Sequence, residues 1–199
     1  MKGKETPNDY PIEEFIKNRW SPMVFSEKKI NRETILSLFE AARWAPSCFN
    51  EQPWSFIFAE KENHQAFNEM LECLSEPNRV WAQSANLLIL TVAKLHFDHN
   101  GKANRHALYD TGAATMNLVL QATAMGLYVH QMAGFSIEKA RERYQIPDSH
   151  QPVSAVAIGY IGDPASLPEK LRNRHNASRK RKSVSDFIHT GSWRSKYSE

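Results

Sequence analysis

From Asn86 to Ala93 the chain reads Asn-Leu-Leu-Ile-Leu-Thr-Val-Ala, an almost unbroken apolar run. A strand with one wet face alternates apolar and polar residues, so a run of this kind reads as a strand buried on both faces. Val153 to Ile161 has the same character and is closed by Gly162-Asp163-Pro164. Trp54 to Ala59 is dense in aromatic and β-branched residues and reads as a third strand, with Leu127 to Gln131 a candidate short one. Helical spacing fills the intervals. Pro11 suits the first turn of a helix over Ile12 to Asn18, with Ile12, Phe15 and Ile16 on one face. Asn31 is placed to cap a second helix through Ile35, Leu38, Phe39 and Ala42, which ends before Pro46. His64 to Leu74 carries a stripe of Phe67, Met70, Leu71 and Leu74, and Ser136 is placed to cap Ile137 to Tyr144. The longest candidate, Asn104 to Met125, ends at Gly126, and its small residues Gly112, Ala113, Ala114 and Ala122 allow another element to come close. Strands separated by helices argue mixed α and β structure in one compact layer system.

The 199 residues suggest one domain, or at most a domain with an appended arm. The predicted divisions are a polar lead-in over 1–10, a domain over 11–164 and a basic arm over 165–199. That last stretch is too long for an ordinary loop and too poor in core residues to fold alone, so an arm laid across a partner subunit is its simplest use. A formal charge of +3 does not call for nucleic acid. The arm is basic, with Arg179, Arg181 and Lys182, but lacks the interleaved aromatics of a single-strand binder. Two cysteines, Cys48 and Cys73, make no disulfide framework. The first ten residues lack the apolar centre of a signal peptide, and no run approaches a bilayer span. A cytoplasmic protein without membrane or nucleic-acid partners is the expectation.

The loop between the second helix and the first strand is chemically dense: Pro46-Ser47-Cys48-Phe49-Asn50-Glu51-Gln52-Pro53. Two prolines stiffen it, and a hydroxyl, a thiol and two side-chain amides lie between them, which suits a polar, planar ligand. Arg19 and Ser21 offer a charged fork beside a short hydroxyl, groups that a phosphate attracts. Gly134, after the short strand, leaves backbone N–H groups accessible. His96, Asp98, His99 and His106 sit in a polar connection without the helical spacing of a metal site, so no metal is expected. Glycine-rich dinucleotide and phosphate loops are absent.

The order of these features resembles the FMN-dependent nitroreductase family across roughly residues 12 to 195. The resemblance rests on Arg19-x-Ser21, Pro46-Ser47-x-x-Asn50-x-Gln52-Pro53-Trp54, Asp110-x-Gly112-x-Ala114 and Gly134-Phe135. It continues through Ile158-Gly159-Tyr160, Arg181-Lys182 with Phe187, and Gly191-x-Trp193. It implies an α+β fold, a mostly antiparallel central sheet wrapped by helices. It also implies a homodimer with FMN in the interface and the C-terminal arm exchanged. By the same resemblance Arg19, Trp20 and Ser21 contact FMN phosphate and pyrimidine. Pro46, Ser47, Cys48, Asn50 and Gln52 reach the FMN of the other subunit, Ala133 and Gly134 are the backbone pair near flavin N5 and O4, and Arg179 and Arg181 return to the phosphate. Asn78 matches an isoalloxazine-contacting Asn, while Phe49, His130 and Met132 are candidates to line the substrate face. The pattern departs at Asn18 and Met23, where the family often carries basic residues. The implied activity is electron transfer from NADH or NADPH through FMN to a nitroaromatic, quinone or similar small oxidant. A flavin-binding carrier or sensor without reductase activity is the alternative.

Overall fold

The computed structural model describes Lys4, residues 6–193 and Ser195. The first part of the predicted lead-in and the last residues of the predicted arm lie outside that range. Four strands form one antiparallel sheet: β1 (Trp54–Glu60), β2 (Leu87–Lys94), β3 (Tyr128–Met132) and β4 (His150–Gly159), in the order β1-β2-β4-β3. The two apolar runs are therefore the two inner strands. Leu87 faces Ile158, Ile89 faces Val156, and an irregularity falls between Thr91 and Val92. There the Thr91 and Ser154 hydroxyls meet at 3.0 Å, which settles two polar groups inside the sheet.

The unbroken apolar pattern has its cause in two covering layers. On one face, Leu88, Leu90 and Val92 of β2 and Ala155 and Ala157 of β4 pack with α3 (His64–Cys73), α4 (Glu76–Ala82) and α6 (Ile137–Tyr144). On the other, Leu87, Ile89, Val156 and Ile158 pack with α2 (Arg32–Arg43) and α5 (Ala107–Ala124). Alternate side chains thus enter different cores, and neither set can be polar. Asn31 and Ser136 cap α2 and α6 through their side-chain oxygens, as their positions predicted. No helix among the described residues is long and apolar enough to cross a membrane.

Two helices lie where the pattern predicted none: α4, of seven residues, and α7 (Glu169–Asn176). The latter opens the stretch expected to be an arm. Leu167 joins the core and His175 is 3% exposed, so the chain stays packed on its own subunit through this helix. The first predicted helix is shorter than expected: α1 spans Glu14–Asn18, and Ile12, Phe15 and Ile16 are partly exposed.

Candidate functional site

Three groups of predicted residues emerge from the fold. The first lies where the chain leaves α1. Arg19 donates from Nη1 to Ser21 Oγ at 3.3 Å. Arg19, Arg179, Arg181 and Lys182 line one cleft of about 530 Å³, with Tyr10, Ile12, Ile16, Val184 and Phe187 as its apolar surfaces. Burial lowers the proton affinity of Arg19, and the Arg179 and Arg181 guanidinia beside it lower it further. Arg179 shows the same effect, from burial and from Arg181. An arginine lies so far above neutral pH that these shifts leave Arg19 and Arg179 cationic. Among the described residues none of Arg19, Arg179 and Arg181 joins an ion pair. Asp9 is the one carboxylate that the described lining supplies against these four cations, so the cleft keeps an excess of positive charge that an anion would offset. Arg179 has an architectural task as well: Nη1 donates to the Lys17 carbonyl at 2.7 Å and to the Thr6 hydroxyl. That ties the tail to the end of α1, where carbonyls lack helical partners. Trp20 is buried beside this turn, and its Nε1 finds no hydrogen-bond partner among the described residues.

The second group is the loop from Pro46 to Pro53. Phe49, Asn50 and Gln52 take φ values of 55°, 56° and 51°, the left-handed region that non-glycine residues avoid. Each such residue stores on the order of 1 kcal/mol, and a bulky one like Phe49 more. Internal bonds hold the shape: Gln52 N–H donates to Ser47 Oγ at 2.9 Å, and Gln52 Nε2 to the Asn50 carbonyl at 3.1 Å. From outside, the buried carboxylate of Asp110 on α5 accepts the Cys48 N–H at 3.0 Å. Glu51, with a buried side chain, accepts the Asp98 N–H and lies 3.6 Å from His99 Nδ1. The result presents Phe49, 80% exposed, edge-on to Phe97 and His99 with ring centres 5.8 and 5.7 Å away. Asp110 belonged to a recognised sequence pattern, but nothing in the sequence joins it to Cys48, 62 positions away.

The third group surrounds Gly134. Its carbonyl accepts Ser75 N–H and Asn78 Nδ2–H, both at 3.0 Å. A Cβ there would lie 2.6 Å from Asn78 Nδ2 and 2.7 Å from Ser75 Oγ. The glycine is thus needed for close packing of α4, rather than simply leaving the backbone open as expected. Asn78 is the partner that does the packing. Ala133 is exposed beside it. Two expected substrate-face side chains are turned to other uses. Met132 is 3% exposed within the core. His130 stacks on Trp81 at 4.4 Å and meets the Pro22 carbonyl through Nδ1 at 2.7 Å. Burial, the first cause, lowers the His130 pKa. His96, Asp98 and His106 form no metal set: among the described residues no three His, Cys, Asp or Glu side chains converge.

An antiparallel sheet between two helical layers, with a cationic cleft at one edge and a strained polar loop at another, marks a class of α+β proteins with known members. The chain belongs to the nitroreductase family, which it matches over residues 16–160. A crystal structure of an oxidoreductase containing FMN superimposes with a TM-score of 0.91. The two are 32% identical, and the match covers 98% of this chain and 100% of that one. A nitroreductase family protein from Clostridium difficile 630 shares the fold at a TM-score of 0.69 and 23% identity, over 89% of this chain and 96% of the other. A protein of Archaeoglobus fulgidus, provisionally named an NADH dehydrogenase/NAD(P)H nitroreductase, is 29% identical over 152 residues, 74% of this chain and 84% of its own.

Proposed function

We propose that this protein is an FMN-dependent oxidoreductase that draws electrons from NADH or NADPH and delivers them to a small oxidant such as a nitroaromatic or a quinone. The observation that carries the reading is the cleft at the end of α1 lined by three arginines that join no ion pair among the described residues, in a member of this family. FMN bears a phosphate, and the cleft supplies the guanidinia that a phosphate attracts bidentately. The structural relative containing FMN and the relative named for NAD(P)H support the same assignment. Bound FMN would supply the redox chemistry, taking hydride from the nicotinamide and giving electrons to the oxidant in alternate half-reactions.

In this reading the chain's residues bind and orient. Arg19, Arg179 and Arg181 hold the phosphate, with Ser21 and the Trp20 backbone beside it. The positive field of Arg19 favours negative charge on the cofactor's polar end. Asn78, Ala133 and Gly134 form a backbone-rich edge for the ring. Pro46, Ser47, Cys48, Asn50 and Gln52 face the cofactor of a second copy, and Phe49 lies where an oxidant enters. Exposed apolar residues on α2 and α5 and just after α2, Leu36, Tyr109 and Trp44 among them, support a homodimer. The free thiols of Cys48 and Cys73 support a reducing, cytoplasmic setting.

The test begins with colour. Purified protein, or protein reconstituted with FMN, is expected to absorb as a flavoprotein and to bleach on mixing with NADH or NADPH. No FMN uptake would refute the cofactor, and uptake without bleaching by either nicotinamide would leave a carrier or sensor. Arg19→Ala is expected to weaken FMN binding by about 1.5–3 kcal/mol, the scale of a hydrogen bond to a charged group. An unchanged dissociation constant would remove Arg19 from the site.

A further inference from the structure

From Trp20 to Phe25 the chain forms neither helix nor ladder, apart from a single bridge between Phe25 and Ile161, yet all but Ser21 of these residues are buried. Buried backbone outside regular structure must find its partners one by one. The Val24 carbonyl accepts Gly162 N–H at 3.2 Å, and Phe25 N–H donates to Ser84 Oγ at 3.1 Å. The peptide between Pro22 and Met23 finds both of its partners in side chains. Its carbonyl meets His130 Nδ1 at 2.7 Å, and its N–H donates to His175 Nδ1 at 3.2 Å. Two imidazoles therefore saturate one peptide group from opposite ends. His130 comes from β3 in the sheet, and His175 from α7 in the C-terminal segment.

The two rings must hold opposite tautomers. A carbonyl only accepts, so His130 carries a proton on Nδ1; an amide N–H only donates, so His175 Nδ1 is bare. His130 can keep its bond when charged, whereas His175 cannot: an imidazolium would set N–H against N–H. The surroundings of His175 keep it neutral. Its ring lies edge-on to Trp20 with centres 4.9 Å apart, and Lys4 reaches the His175 and Ala177 carbonyls. Burial and then the Lys4 charge lower its pKa. Arg174 and Arg19 are the cations that face His130.

We propose that His175 is a positioning residue for the cofactor: through Met23 N–H it fixes the Arg19–Ser21 turn, so that docking of the C-terminal segment and binding of FMN are linked. The proposal rests on the FMN reading above. The same linkage joins α7 to Arg179 and Arg181, which follow it in the chain and line the same cleft. Loss of the His175 contact loosens both walls at once.

The experiment compares wild type, His175→Leu and His175→Asn. Asn places a carbonyl oxygen near the position of Nδ1 and does not titrate. FMN is added to apoprotein and its fluorescence followed, and amide exchange over residues 19–25 is measured without FMN. His175→Leu is expected to raise the FMN dissociation constant about tenfold, the effect of losing one hydrogen bond of ordinary strength, and to speed exchange at Met23. His175→Asn restores most of both. Between pH 7.5 and 5.5 the wild type loses affinity by a larger factor than His175→Asn, in which His130 and the FMN phosphate still titrate but the acceptor of the Met23 N–H does not. A His175→Leu protein with wild-type affinity overturns the proposal, as does His175→Asn behaving like His175→Leu. If His175→Leu does not fold, the difference in pH profile between wild type and His175→Asn decides, and parallel profiles overturn it. Wild type that takes up no FMN refutes the cofactor reading, and the exchange rates at Met23 still decide whether His175 holds the turn.

Discussion

At Gly134 the smallest possible substitution meets two polar atoms at once. An alanine Cβ would approach Asn78 Nδ2 and Ser75 Oγ to 2.6 and 2.7 Å. Either the Asn78 and Ser75 side chains turn away, with loss of the Asn78 bond to the Gly134 carbonyl, or α4 and the turn after β3 move apart. Gly134→Ala is expected to destabilise by about 1–3 kcal/mol, as overpacking does. In a Ser75→Ala/Asn78→Ala background the same change costs less, because the obstructing atoms are gone. Chemical denaturation of the four proteins gives both numbers, and equal costs in the two backgrounds would reject the steric account. Asp110 and His175 act in the opposite sense. Each supplies an acceptor to a distant backbone N–H, at Cys48 and Met23 respectively. Chemistry of this kind is invisible along a sequence, since an Asp on a helix or a His near the terminus carries no sign of its partner.

Elements were more legible than single contacts. The runs around β2 and β4 announce strands because both faces are buried, and α2, α3, α5 and α6 announce themselves by stripes that meet those faces. α4 is too short for periodicity to show, and α7 offers only Leu167 before it and Leu171 and His175 within it to the protein interior. The cleft was legible as residue types, Arg19 with Arg179 and Arg181, but the tethering of Arg179 to Lys17 needed the fold. Helix α5 shows what one element carries unmatched. Leu108, Tyr109, Gly112 and Met116 fall at helical spacing on an exposed face, and a Cβ on Gly112 would meet nothing within 4 Å. In the single subunit Gly112→Ala should therefore stabilise the helix by about 1 kcal/mol. If a second copy packs on this face, Gly112→Trp is expected to give monomers by light scattering while circular dichroism stays unchanged. A dimer that survives Gly112→Trp would place the subunit contact elsewhere.

For the whole molecule, three histidines set the response to acid. His130, His150 and His175 all have pKa values lowered in the fold, with burial the first cause. A group whose folded value lies below its unfolded one, about 6.5 for histidine, binds protons more readily when the chain is unfolded. Its contribution is complete above the unfolded value and is lost as pH falls through the folded ones. Thermal melts should thus be level from pH 8 to 7 and drop between pH 6.5 and 5, with His175→Asn showing a smaller drop. A melting temperature that rises over that interval would contradict the sign. The sheet order has a kinetic counterpart. Each of its three ladders joins strands separated by at least one helix: β1 and β2 by α3 and α4, β2 and β4 by α5 and α6, β3 and β4 by α6. No tight hairpin can start the sheet, so long loops must close before any ladder forms, and folding is expected to be slow. During synthesis β2, apolar on both faces, waits for β4 until more than half as many residues again have been added. In that interval its open edge is the part of the nascent chain most exposed to aggregation.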